Sequence, residues 1–164
     1  MTKAKRDAAG LGEGELLVCR NPKAHHDYEI EEKLEAGMVL TGSEVKSLRA
    51  RRADLEGAYG TISGAELYLH NMHIAPYEQA GPFGHEPKRP RKLLAHRNEI
   101  QRLLGKLALR GYTLVALSVY FRNGRAKVEL GLGKGKKRGD RRQDIRRDID
   151  LREARAAMAR GSRR

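Results

Sequence analysis

The chain has 164 residues, one domain's worth on a prior of about 100–200 residues per domain. It carries 34 Lys and Arg against 21 Asp and Glu, a net charge of +13 at pH 7. With 34% charged residues and a mean hydropathy of −0.70, no stretch is apolar enough to span a bilayer. Residues 1–6 lead into no apolar segment of a secretory signal, and the single Cys19 permits neither an internal disulfide nor a cysteine zinc cage. A soluble, cytoplasmic protein with a polyanionic partner is expected.

The charge is unevenly placed. Residues 133–164 hold 13 Lys and Arg against five Asp and Glu, a net of +8, which leaves +5 for residues 1–132. Beyond Gly135 the large apolar residues are Ile145, Ile149, Leu151 and Met158. The expected organisation is a flexible leader over 1–19, a folded body over 20–132 and a basic tail over 133–164.

From Asp27 the chain reads as a half-buried strand, with Tyr28, Ile30 and Leu34 among charges. Gly37 interrupts it before Met38-Val39-Leu40, a second strand or the bend of a long one. Thr41 with Glu44 has capping-box spacing and opens a short helix on Val45 and Leu48, with Lys46, Arg49, Arg51 and Arg52 on its other sides. A hairpin follows, residues 58–62 and 66–74 about Ser63-Gly64. Residues 76–92 hold four of the five prolines and form a long loop ending in Lys88-Arg89-Pro90-Arg91-Lys92. Ile100, Leu103, Leu104 and Leu107 mark a helix with Gly111 as its stop. Residues 112–121 and 125–132 are strands about the two-residue turn Asn123-Gly124. Five or six strands with short helices predict a mostly β protein, a small antiparallel barrel of OB type.

No catalytic constellation is found. His70 and His73 lie three apart in one expected strand and face opposite ways, so no metal site is expected. Gly131-Leu132-Gly133-Lys134-Gly135-Lys136-Lys137 lacks the leading glycine and the Ser/Thr of a phosphate loop. Cys19 has no nearby base, and the acids Glu29, Glu31, Glu32 and Glu35 read as a solvated strand face. No cofactor is expected.

Several strings carry a resemblance: His26-Asp27-Tyr28, Glu35-Ala36-Gly37, Thr41-Gly42-Ser43-Glu44-Val45-Lys46-Ser47-Leu48-Arg49 and Asn71-Met72-His73-Ile74. With them go Pro87-Lys88-Arg89-Pro90-Arg91-Lys92-Leu93-Leu94, Gly111-Tyr112-Thr113-Leu114-Val115, Tyr120-Phe121-Arg122-Asn123-Gly124 and Lys134-Gly135-Lys136-Lys137 before Asp140-Arg141-Arg142. In this order, over about residues 20–155, the chain closely resembles the bacterial SsrA-binding protein family, also called small protein B. The resemblance implies a non-enzymatic, monomeric OB-type barrel that binds the tRNA-like domain of transfer-messenger RNA. It also implies a tail that enters the vacant mRNA channel of a stalled ribosome, elongation factor Tu in the delivery complex, and tagging of the released peptide for degradation.

By that resemblance the RNA face includes Glu35, Leu94, His96 and neighbouring basic residues. A carboxylate accepts hydrogen bonds from base edges or ribose hydroxyls, where a lysine finds phosphate. Lys46, Arg49, Lys88, Arg89, Arg91 and Lys92, with Arg51 and Arg52, form two basic groups suited to phosphate. Glu44 is assigned to the capping box, and His96 is either a stacking residue or the helix start. The ribosome-binding tail is assigned Lys134, Lys136, Lys137, Arg138, Asp140, Arg141, Arg142, Ile145, Ile149 and Met158, with a helix expected over 144–159 that orders on the ribosome and is disordered when free. Gly139 stands where the family commonly has an aromatic or histidine, so a stacking contact is missing or is replaced by Arg138 or Arg141. The alternative is a ribosome-assembly or structural ribosomal protein that binds rRNA.

Overall fold

The computed structural model describes residues 14–161; the leader over 1–13 and residues 162–164 lie outside the described residues. Nine strands and four α-helices follow in order: β1 (Glu15–Arg20), α1 (Lys23–Asp27), β2 (Tyr28–Met38), α2 (Gly42–Arg49), β3 (Ala53–Asp54), β4 (Tyr59–Ser63), β5 (Glu66–His70), β6 (His73–Ile74), β7 (Arg91–Leu94), α3 (Arg97–Leu107), β8 (Tyr112–Arg122), β9 (Arg125–Gly135) and α4 (Arg138–Gly161). A 3₁₀ segment, Glu78–Phe83, lies in the long loop. The pairings β8–β4–β5–β7–β2–β9 return to β8 and close an antiparallel ring, and β1 pairs with residues 118–122 of β8, beyond the stretch at 114–115 that β4 uses. This is the small barrel expected, with six strands in the ring where an OB barrel counts five.

The core fills the ring. Leu34, Leu67, Leu69, Leu93, Leu114 and Leu130 are buried inside it, and α2 and α3 contribute Leu48, Ile100 and Leu103. Leu114 through Phe121 on β8 are all buried, which fits a central strand covered on both faces. Asn123 (φ 51°) and Gly124 (φ 74°) form the turn between β8 and β9 in the left-handed region that a two-residue hairpin needs.

Several boundaries differ from the sequence reading. Residues 15–19, expected in the leader, form with Arg20 a strand because its half-buried face finds β8, with Leu16 opposite Phe121 and Cys19 opposite Val119. β2 is continuous through Gly37, which pairs with Leu94 on one side and Lys127 on the other. The expected strand over 66–74 splits at Asn71, which takes φ 66°, a conformation asparagine tolerates. α3 ends at Leu107, and Gly111 serves instead at φ 89° in the entry to β8.

The glycine-rich string at 131–135 belongs to β9, not to the tail. A side chain at Gly133 would put its Cβ 2.2 Å from the Glu29 carbonyl oxygen, so close approach to the bulge in β2 between Ile30 and Glu32 requires glycine. The tail therefore starts after Gly135, at Lys136, whose N–H donates to the Asp27 carbonyl at 2.8 Å. α4 then runs from Arg138 to Gly161, longer than the expected 144–159.

Candidate nucleic-acid interface

Three residues named from sequence converge. β2 supplies Glu35, β7 supplies Leu94, and the residue that caps α3 is His96; all line one cleft of about 530 Å³ with Lys33, Ala95 and Lys127. Leu94 is 57% exposed although it neighbours the core strand Gly37, so an apolar contact stands open on this face. His96 is the helix start: its N–H donates to the Glu99 carboxylate at 3.0 Å, and its ring side is exposed.

Glu35 is half-buried and doubly held. The Tyr120 hydroxyl donates to one carboxylate oxygen, and Arg122 Nη1 donates to the other at 2.6 Å. Arg122 also grips Glu15 of β1 with Nε at 2.6 Å, and its guanidinium lies 5.6 Å from the Tyr120 ring centre. Burial, then the adjacent Glu35, pushes the Tyr120 hydroxyl well above its ordinary value, so it stays a donor. Tyr120 and Arg122 stand in one of the strings that carry the resemblance but, like Lys127, have no site role in the sequence, because a strand's period shows which face a residue takes but not its partner two strands away.

The basic groups divide sharply. Lys46 and Arg49 on α2 are exposed, the first 5.2 Å from the Tyr77 ring centre and the second 5.5 Å from that of Phe121. Lys88 is exposed, with no ion pair among the described residues. Lys92 is 2.7 Å from Glu66.

Arg91 turns inward and is fully buried, which corrects its assignment to phosphate, while Arg89 pairs with the same acid and keeps 31% of its side chain exposed. Glu44 sits wholly buried and accepts four bonds: Thr41 N–H at 2.9 Å, Arg89 Nε at 2.8 Å and Nη2 at 2.7 Å, and Arg91 Nε at 2.8 Å. Those fill about all the acceptor sites a carboxylate has. Arg91 is also fully buried, and its Nη1 and Nη2 donate to the carbonyls of Met72 (2.8 Å) and Pro87 (3.0 Å). Burial alone would raise the Glu44 carboxyl, but the donations from Arg89, Thr41 and Arg91 outweigh it and hold it below the ordinary range. The capping role read for Glu44 is present; its second role as the anchor of the basic run was not read.

On the tail side, Lys134 Nζ lies 4.6 Å from the Tyr112 ring centre. Lys136 Nζ donates to the His25 carbonyl at 2.8 Å and to Asp144 at 2.5 Å, and Arg141 comes within 4.0 Å of Asp27. Lys137, Asp140 and Arg142 are exposed, and Arg138 opens α4. Ile145, Ile149 and Met158 are 52%, 48% and 76% exposed, so α4 leaves its apolar residues uncovered. A Cβ at Gly139 would meet nothing within 4 Å, so this position is open to an incoming group.

Other candidates are structural. Cys19 is held by burial, then by Asp54, at a pKa of about 12, so its thiol stays protonated. His70 stacks on Tyr59, 5.4 Å between centroids, and shares a 2.8 Å hydrogen bond with Thr61.

A small closed barrel with an acid-bearing cleft and a cationic helical arm defines a polyanion-binding module. The chain matches the family model described as SmpB protein over residues 18–160, and it belongs to that family. It is 56% identical over 146 residues to the SsrA-binding protein of Desulforudis audaxviator, covering 88% of this chain and 95% of that one. It is 51% identical over 145 residues to the SsrA-binding protein of Geobacter metallireducens, covering 88% and 95%. Among solved structures it is similar to one described as "tmRNA-SmpB: a journey to the center of the bacterial ribosome", with a TM-score of 0.63 and 48% identity over 79% of this chain and 94% of that one.

Proposed function

We propose that this chain binds the tRNA-like domain of transfer-messenger RNA through its barrel and brings it to ribosomes stalled on truncated message. The arm after Gly135 occupies the empty mRNA channel, and the nascent peptide is released with a degradation tag. The observation that carries this is the family match, which runs unbroken from residue 18 to residue 160 and so takes in both barrel and arm. The geometry supports it: a cleft that mixes acidic, basic and apolar side chains suits a folded RNA's base edges and ribose hydroxyls, while exposed Lys46, Arg49 and Lys88 suit its phosphates.

The protein works by binding rather than turnover, as a monomer in the cytoplasm, with elongation factor Tu in the delivery complex. No helix among the described residues is long and apolar enough to cross a membrane. The test compares the full chain with one ending at Lys137, which leaves β9 whole. Both bind the isolated tRNA-like RNA tightly, and only the full chain rescues stalled ribosomes. Loss of RNA binding on truncation overturns the division of labour. Retention on salt-washed ribosomal subunits, independent of stalling, points instead to a resident rRNA-binding protein.

A further inference from the structure

The Glu35 carboxylate is the one acid of the cleft whose two oxygens are both tied to side chains of a distant strand, Tyr120 and Arg122 on β8. β9 lies between β8 and β2, so the two donors reach past it: Tyr120 stands opposite Lys127 in one ladder, and Glu35 stands opposite Glu129 in the other. Tyr120 is 5% exposed, and Arg122 is anchored at its far side by Glu15 of β1. A side chain with three rotatable bonds is thereby fixed from two directions, without the loss of rotamer freedom falling on the binding step.

The charges here nearly cancel. Arg122 with the cleft's Lys33, Arg102 and Lys127 stands against Glu15, Glu35 and Glu99, a net of one positive charge. An RNA meeting this face gains little from bulk attraction, so recognition rests on hydrogen-bond geometry. A carboxylate offers about four acceptor sites, of which Tyr120 and Arg122 take two. The remaining two are available to donors on the ligand, and among RNA groups those are 2′-hydroxyls and exocyclic or ring N–H groups, not phosphates.

We propose that Tyr120 and Arg122 are positioning residues for RNA recognition, holding Glu35 so that its unused acceptor sites meet hydroxyl or N–H donors of an RNA at the Leu94–His96 cleft. This rests on the reading of the cleft as the RNA face, and it adds that the contact is geometric rather than ionic. Tyr120 contributes through its hydroxyl alone. Its protonation survives any working pH, since burial and Glu35 both oppose ionisation.

The test titrates the full chain with the tRNA-like domain of transfer-messenger RNA, transcribed in vitro, over a range of salt. Glu35→Gln is the reference and is expected to weaken binding roughly 10- to 100-fold, as loss of one or two charge-assisted bonds would. Tyr120→Phe keeps the buried ring, and it is expected to weaken binding several-fold with the slope of log Kd against log salt unchanged. In the double variant Tyr120→Phe adds nothing to Glu35→Gln, because the hydroxyl acts through that carboxylate. Arg122→Lys restores part of what Arg122→Gln removes.

Purely structural roles would give additive losses and lowered thermal midpoints, and that outcome overturns the proposal. Wild-type affinity in Tyr120→Phe beside a weak Glu35→Gln also overturns it while leaving the RNA face intact. Wild-type affinity in Glu35→Gln overturns the reading of the face itself. Should Tyr120→Phe fail to fold, the Arg122→Gln and Arg122→Lys pair decides by the same cycle.

Discussion

Two runs of basic residues, one entering β7 and one after β9, look alike as sequence and behave oppositely in the structure. In the first, Arg89 and Arg91 converge on buried Glu44 and Lys92 pairs with Glu66, so of the five residues 88–92 only Lys88 meets solvent as an unpaired cation among the described residues. In the second, Lys137 and Arg142 stand exposed, and the first turns of α4 touch the body through Asp144 and Arg141. Charge written in a sequence is thus not charge available to a ligand. The first run is largely used to tie the start of β7 to α2 and β5, and the second stands open to solvent.

The largest effect that would break this contrast is at Arg91. Arg91→Ala takes from buried Glu44 one of its four donors and its fully buried counter-charge, and orphans the Met72 and Pro87 carbonyls, so it should cost about 3–5 kcal/mol of stability in denaturant unfolding. A loss near zero would mean that Arg91 is an exposed RNA ligand after all.

The same buried acid sets an acid limit. Its pKa is lowered in the fold from the ordinary 4.5, by Arg89, Thr41 and Arg91 against the opposing effect of burial. A depressed carboxyl stabilises the fold fully above its unfolded value and loses that contribution as pH falls through the folded value. Thermal midpoints measured from pH 7 down to pH 3 should therefore fall below about pH 4.5, and Glu44→Gln, already destabilised at pH 7, should show a shallower fall over that window.

How much of this was legible follows from range. The capping box at Thr41 and Glu44, the Asn123-Gly124 turn and the helix on Ile100 and Leu103 are local patterns, and they stand where the sequence places them. Glu35, Leu94 and His96 were legible as a group through the family resemblance, and the fold brings them to one cleft. The four bonds on Glu44 were not legible, because Arg89 and Arg91 lie 45 and 47 residues away and nothing local distinguishes them from Lys88. β1 is hidden from a local reading for a similar reason: Glu15–Arg20 becomes a strand through the edge of β8, whose paired residues run from Arg20↔Ser118 to Glu15↔Arg122, far along the chain.

A smaller effect sharpens the contrast at the solvent side of the first run. Lys88→Glu should leave stability within about 0.5 kcal/mol, as surface changes do, yet it should weaken binding of the tRNA-like RNA and lower the salt slope by about one. Arg49→Ala on α2, whose guanidinium lies over the Phe121 ring, should do the same more weakly. An unchanged slope in a filter-binding titration would remove Lys88 from the phosphate contacts.

The smallest effect concerns the joint between body and arm. Lys136 ties the His25 carbonyl to Asp144, one residue before the uncovered Ile145, so the first turns of α4 are docked while the rest has nothing to bury. An unsupported helix is marginal in water, so amide exchange along 145–160 should be fast in the free chain and slow on the ribosome. Asp144→Asn keeps the shape but removes the charge that holds Lys136. It should speed exchange only a few-fold at 138–144, leave the outer residues as they were, and leave RNA binding by the barrel untouched. If exchange rises equally along the whole arm, the helix is one cooperative unit nucleated at this joint. If it rises nowhere, order in the arm comes from its own side chains, and the joint serves only to aim it.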